Sequence, residues 1–169
     1  PYDGVIARAN NELAVRAKRL GVPVVNMWAS SPVWNKVPGV FPDFEASGEI
    51  KAEHFLSRGL ANFAAMTAYK NRGERLEVLK FQNSLAERGY HCIVANTPQS
   101  LSRSLDHWRR TKEIVEAWMD RWQLPIGVIV GGENLGRLVV QICHERGWSV
   151  PQDVAIIAGQ NEENLCENP

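Results

Sequence analysis

Helix-like segments that end at a glycine and run into an apolar strand recur four times along this chain. Gly21 precedes the apolar run 22–27, Gly59 precedes 62–68, Gly89 precedes 90–95, and Gly147 lies shortly before 154–159. Glycine suits the left-handed residue just past a helix end, where other residues are hindered by their Cβ. The runs 3–7, 22–27 and 126–131 are almost continuously apolar rather than alternating. Strands read that way when helices cover both faces of a parallel sheet. Strand and helix alternating in this order call for right-handed crossovers. The expected fold class is therefore α/β, with doubly wound parallel sheets.

The intervening helices carry apolar stripes. Leu135, Leu138, Val139, Ile142 and Cys143 recur at i, i+3, i+4, i+7 and i+8, which puts them on one face. Leu105, Trp108, Val115, Trp118 and Trp122 keep the same period over a longer helix, with Ser104 as its expected cap. Their tryptophans are expected in a core or a subunit interface. Leu13, Ala17 and Leu20 form a weaker stripe after Asn10, and Val78, Phe81 and Leu85 mark the helix before Gly89. Segment 28–42 breaks the rhythm with Pro32, Pro38, Gly39 and Pro42 and reads as a loop. The chain is accordingly divided there, into a short piece over 1–42 and a larger βα lobe from 43.

Composition excludes several classes. The 169 residues suit one domain, or one lobe of a larger unit, and 44% hydrophobic with 22% charged residues is ordinary for a globular chain. Nineteen basic residues balance nineteen acidic ones, so no global field holds a polyanion. Cys92, Cys143 and Cys166 are an odd, widely spaced set, which argues against a disulfide framework and fits a reducing cytoplasm. No apolar run approaches the roughly 18 residues needed to span a membrane. The start at Pro1 reads as that of a fragment, whose own N-terminus is not visible.

Enzymatic signatures are lacking: there is no G-x-S-x-G, no phosphate-binding P-loop and no G-x-G-x-x-G after a strand. Gly131-Gly132 ends a strand before a helix and would let an anion approach the helix N-terminus, but Glu133 follows at once and disfavours phosphate. No two of His54, His91, His107 and His144 stand at metal-ligand spacing. Cys143 and His144 are adjacent on a helix and point about 100° apart. Neither a metal nor a cofactor is expected, and no pair of carboxylates stands out for acid–base work.

Ligands of open α/β sheets bind outside the carboxyl ends of the strands, so the residues closing each strand are the binding candidates. These are Arg8, then Trp28 and Trp34 in the irregular loop, Asp43 at the boundary, Tyr69 to Arg75, Glu133 and Asn134, and finally Gln160 and Asn161. Flat aromatic faces suit sugar rings, and charged and amide groups gathered at one edge can form the polar end of a site. Each residue taken alone reads equally well as a solvated loop position.

Three stretches then resemble a known family: Asp3-Gly-Val-Ile6 with Leu20-Gly-Val-Pro-Val-Val25; Asp43 with Ala52-Glu-His-Phe-Leu-Ser-Arg-Gly59; and Cys143-His-Glu-Arg-Gly-Trp-Ser-Val-Pro-Gln-Asp-Val-Ala-Ile-Ile157 followed by Gln160-Asn-Glu-Glu163. Together they resemble the effector-binding core of LacI/GalR-type repressors, closest to xylose operon regulators, which join such a core to an AraC-type DNA-binding domain. The resemblance spans essentially the whole chain, and the Val-Pro-x-Asp-Val block is its most specific part.

It implies a type 1 periplasmic-binding-protein fold, in which two lobes close over a small ligand and sugar binding alters how a dimer sits on DNA. Residues 1–42 would then be part of the N-terminal lobe, 43–159 the C-terminal lobe, and 160–169 the start of the return crossover. The implied effector contacts are Arg8, Trp28, Asp43, Arg75, Glu133, Asn134 and Gln160. Some positions depart from the pattern. The family's arginine four residues before the aromatic Phe81 is Glu77 here, leaving Arg75 to take over if the loop is shifted. The usual Asn-Asp pair is Gly132-Glu133, and the Asp before Asn161 is Gln160.

The expected function is a cytoplasmic, sugar-sensing part of a transcription regulator, not an enzyme. It would bind DNA through a domain outside this segment and would have no membrane partner. A periplasmic sugar-binding protein of the same fold and a sugar-metabolising α/β enzyme are the competing readings.

Overall fold

The computed structural model describes residues 3–68, 71–97 and 105–159. Strands and helices alternate: β1 (Val5–Ala7), α1 (Asn11–Leu20), β2 (Val24–Asn26), α2 (Phe44–Leu56), β3 (Asn62–Ala68), α3 (Arg72–Ala86), β4 (Cys92–Thr97), α4 (Leu105–Met119), β5 (Ile126–Val130), α5 (Glu133–Glu145) and β6 (Val154–Ala158). Every pairing between them is parallel. β1 and β2 form one sheet, and a second has the order β4-β3-β5-β6. The chain divides into two compact units, Pro1–Asp43 with Lys70–Gly73, and Phe44–Tyr69 with Glu74–Pro169.

In the first unit Val5, Ile6 and Ala7 pair with Val24, Val25 and Asn26. Helix α1 starts at Asn10, whose side chain accepts from the Leu13 N–H at 2.8 Å. It stops at Gly21, where φ of 64° lets the amide reach back to the Ala17 and Lys18 carbonyls. Ala9, Ala17, Val24 and Val33 make a small core. The stripe expectation fails at its end, because Leu20 is 62% exposed. It is the last helical residue and lies beyond that core. Segment 28–42 returns along β2 and adds an isolated parallel bridge, in which Asn26 N donates to Pro38 O at 2.8 Å and Val40 N to Asn26 O at 2.9 Å.

In the second unit the sheet is sandwiched. Alternate residues of β3 point to opposite faces: Phe63 and Ala65 join Phe55 of α2 and Phe81 and Leu85 of α3, while Ala64 and Met66 join Trp118 of α4 and Leu138 and Ile142 of α5. Such two-sided burial is why β5 reads as an almost unbroken apolar run. Phe55, Phe63 and Phe81 meet at centroid distances of 6.2 to 6.5 Å, and each such ring contributes about 1.5–3 kcal/mol by leaving water. Helix α2 approaches α3 at Gly48, where a Cβ would run into the backbone of Glu77 and Phe81.

The tryptophan stripe of α4 is only partly internal. Trp118 donates through Nε1 to the Ile93 carbonyl at 3.0 Å and meets Trp122 edge-on at 4.8 Å. Trp108 is 48% exposed, and Leu105 is exposed too. The first turn of α4 carries none of the residues that pack into the core, so these two side chains stay at the surface. Ser104, the expected cap, lies outside the described residues. The Val-Pro-x-Asp-Val block has a structural use: Asp153 accepts from the Ser149 N–H at 2.8 Å, closing the turn that delivers the chain into β6.

Candidate functional site

The carboxyl ends of the strands are described unit by unit. In the first unit the organising residue is Asn26, fully buried at the end of β2. Its Oδ1 accepts from the Ala9 N–H at 3.1 Å and the Trp28 N–H at 3.0 Å, and its Nδ2 donates to the Trp28 carbonyl at 3.0 Å. Ser31, also buried, donates to the Ala9 carbonyl at 2.6 Å and accepts from Val33 N at 3.0 Å. Two polar side chains thus lock the turns that leave β1 and β2, and so set where Arg8 and Trp28 stand. The Arg8 guanidinium lies 5.0 Å from the Trp28 ring centroid, within cation–π range.

Trp34 has a closer cation. The Arg72 guanidinium lies 3.7 Å over its ring, and the Arg72 amide donates to Ser30 Oγ at 2.8 Å. One face of Trp34 is therefore taken, although the ring stays 38% exposed, while Trp28 is half-buried beside Arg8. Asp43 stands exposed immediately before α2.

In the second unit, buried Thr67 stands one residue before the end of β3, and its Oγ1 donates to Asn96 Oδ1 of β4 at 2.9 Å. Gly131-Gly132 follows the end of β5 at Val130, and α5 begins at Glu133. Helix α5 has no side-chain cap: Gly132 occupies that position with extended backbone. Glu133 is 8% exposed, and its Oε1 has no hydrogen-bond partner among the described residues. Asn134, the next residue, is exposed. The carboxylate of Glu74, in the first turn of α3, lies against Gly131 where a side chain would otherwise sit. Gly159 at the end of β6 approaches the Gly131 carbonyl so closely that a Cβ there would also collide.

Arg75 is exposed on α3. Glu77, the residue standing where the resemblance would put an arginine, turns to α2: it accepts from Ser47 Oγ and pairs with Lys51 Nζ at 2.7 Å. Gln160 and Asn161 lie outside the described residues. The structure thus gathers Arg8 with Trp28 on one unit and Glu133, Asn134 and Glu74 on the other. Sequence reasoning missed Asn26, although a lone amide inside the run Val-Pro-Val-Val-Asn-Met was a legible signal. It also missed the Lys51–Glu77 pair, whose members lie on different helices and leave no local trace. Among the described residues, no cluster of His, Cys, Asp and Glu could hold a metal ion, and no helix is long and apolar enough to cross a membrane.

Residues 52–168 match the family model of the periplasmic binding protein-like domain. The xylose operon regulatory protein of Escherichia coli strain K12 is 24% identical over 168 residues, a match that takes in 95% of this chain and 42% of that protein. The chain thus spans less than half the length of this curated relative. Among solved structures, a xylose-binding transcription activator superposes with a TM-score of 0.74 at 21% identity, over 95% of this chain and 43% of that one. A periplasmic binding protein/LacI transcriptional regulator from Alkaliphilus metalliredigens, solved with D-xylulofuranose, gives 0.62 at 14% identity, over 91% of this chain and 55% of that one.

Proposed function

Since the chain belongs to the periplasmic binding protein-like domain family, we propose that it is the effector-sensing part of a sugar-responsive transcription regulator. The effector is a monosaccharide, with xylose or a related pentose as the leading candidate. It is taken between two lobes, and its binding alters how a homodimer in the cytoplasm holds DNA through a domain outside these residues. The names of the similar regulators support this reading.

The observation that carries it is Glu133. A carboxylate this buried, with Oε1 unpartnered, is costly unless a donor-rich ligand completes it. Sugar hydroxyls are such donors. Asn134, Asp43, Arg75 and Gln160 supply further polar contacts, and Trp28 beside Arg8 supplies the stacking face.

The test is calorimetry of the full-length gene product across a panel of monosaccharides. A pentose is expected to bind with Kd between about 1 μM and 1 mM, corresponding to roughly −8 to −4 kcal/mol. Glu133→Ala and Trp28→Ala should each weaken binding at least about tenfold, which is about 1.4 kcal/mol. Tight binding of a nucleotide or an amino acid, with no sugar bound, would defeat the reading. A sugar-dependent shift of operator DNA separates a regulator from a transport-type sugar receptor of the same family.

A further inference from the structure

The geometry points to a docking groove on the first unit, away from its strand ends, for an acidic peptide segment of a partner protein that carries an apolar anchor. The groove lies between α1 and the turns over 33–38 and has a volume of about 410 Å³. It exists because α1 presents Ala14 and Ala17 there, and two methyl groups do not fill the space. Val24, Val33 and Val37 line it beneath and opposite. The wall opposite α1 is fixed in advance. Ser31 Oγ, anchored on the Ala9 carbonyl, accepts from Val33 N at 3.0 Å, and Lys36 N donates to Val33 O at 3.0 Å. A wall already held in place loses little freedom when a partner binds.

Charge decides the partner. Lys18 of α1 and Lys36 of the turns also line the groove, and both are exposed. Neither has a carboxylate partner among the described residues, whereas Lys51, Lys80, Arg88, Lys112 and Arg146 of the second unit all do. The first unit holds seven Lys and Arg residues against three Asp and Glu, and the second holds twelve against sixteen. Carboxylates are thus favoured as the partner's charges. The valines disfavour a purely ionic partner. Duplex DNA brings phosphates and no apolar side chain, and two lysines make few phosphate contacts. A leucine flanked by acidic residues meets both features, with its side chain on the valines and its neighbours' carboxylates on Lys18 and Lys36. Exposed ion pairs contribute little, so the anchor supplies most of the affinity and the lysines the selection.

The experiment titrates the full-length gene product into a fluorescent peptide of about twelve residues, leucines at helical spacing among glutamates, and reads anisotropy at low salt. Binding is expected with Kd of about 10–300 μM. The double variant Lys18→Glu with Lys36→Glu should weaken it at least about tenfold, and Val15→Asp, at a groove residue 69% exposed, at least about fivefold. Arg16→Glu makes the same charge change at a separate hollow on α1 and should shift Kd by less than about threefold. A peptide with serine in place of leucine, which leaves the protein unaltered, should bind at least about tenfold more weakly. Circular dichroism checks that each variant is folded. No binding of the leucine peptide, equal binding of the serine peptide, or an equal loss in Arg16→Glu overturns the proposal. Displacement of the peptide by duplex DNA at matched charge overturns it in favour of a polyanion site. A dimer that dissociates in the double lysine variant overturns it in favour of a second copy of this chain.

Discussion

Asn26 grips Trp28 by both ends of its amide, Oδ1 accepting from the Trp28 N–H and Nδ2 donating to the Trp28 carbonyl, each at 3.0 Å. The same Oδ1 takes the Ala9 N–H at 3.1 Å, so one buried side chain ties together the two turns that leave β1 and β2. Truncating it strands buried backbone groups, each costing about 1–3 kcal/mol. Asn26→Ala is therefore expected to destabilise the first unit by about 2–4 kcal/mol in urea unfolding and to shift tryptophan emission. A loss below about 0.5 kcal/mol, the range of neutral surface changes, would show that the amide does not hold these turns.

Two glycines separate rigid from yielding neighbours. At Gly48 a Cβ meets the Glu77 carbonyl and the Phe81 amide, which are helix backbone and cannot swing aside. At Gly131 the obstacle is the far end of the Glu74 side chain, which can. Gly48→Ala should cost about 2–3 kcal/mol or more, and Gly131→Ala clearly less. Combining Gly131→Ala with Glu74→Ala should recover part of the smaller loss, seen as a coupling of about 0.5–1 kcal/mol in a double-mutant cycle. Equal losses at the two positions would mean that α2 and α3 separate easily.

Burial pushes the thiols of Cys92 and Cys143 up, to about 12 and about 11, from an ordinary 9.0. The native state therefore keeps protons that the unfolded chain releases. Stability from these groups is complete below pH 9.0 and is lost as the pH rises through the window to 11 and then 12. Each thiol contributes a slope of up to about 1.4 kcal/mol per pH unit there. Denaturation series at pH 8, 9 and 10 should show accelerating loss, reduced in Cys92→Ala and Cys143→Ala when each is compared with its own value at pH 8. A flat profile would mean that these thiols are open to water in the native state.

Much of the fold was legible in the sequence because its signals are local. All four helix-ending glycines adopt positive φ, from 64° to 82°, as the glycine-then-strand pattern requires. The pattern also points to the strand carboxyl ends as the place to look for a ligand. Local signals failed where an element outruns its core. Leu20 and Trp108 keep helical period yet are exposed, because period reports a face and not what lies against it. At the candidate site, Trp34 read as a stacking platform until Arg72, far along the chain, was seen to cover one face.

The sequence alone determined the order and direction of the elements, through apolar period and the placement of glycine and proline. These act over a few residues and need no partner. Only the tertiary structure decided which polar groups are consumed and which are left over: Asn26 spent on two turns, Glu77 on Lys51, Glu74 laid against Gly131, and Glu133 buried with an oxygen unpaired. Hydrogen bonds and charge pairs act over a few ångströms, and residues distant in the chain come within that range only once the sheets and helices have packed.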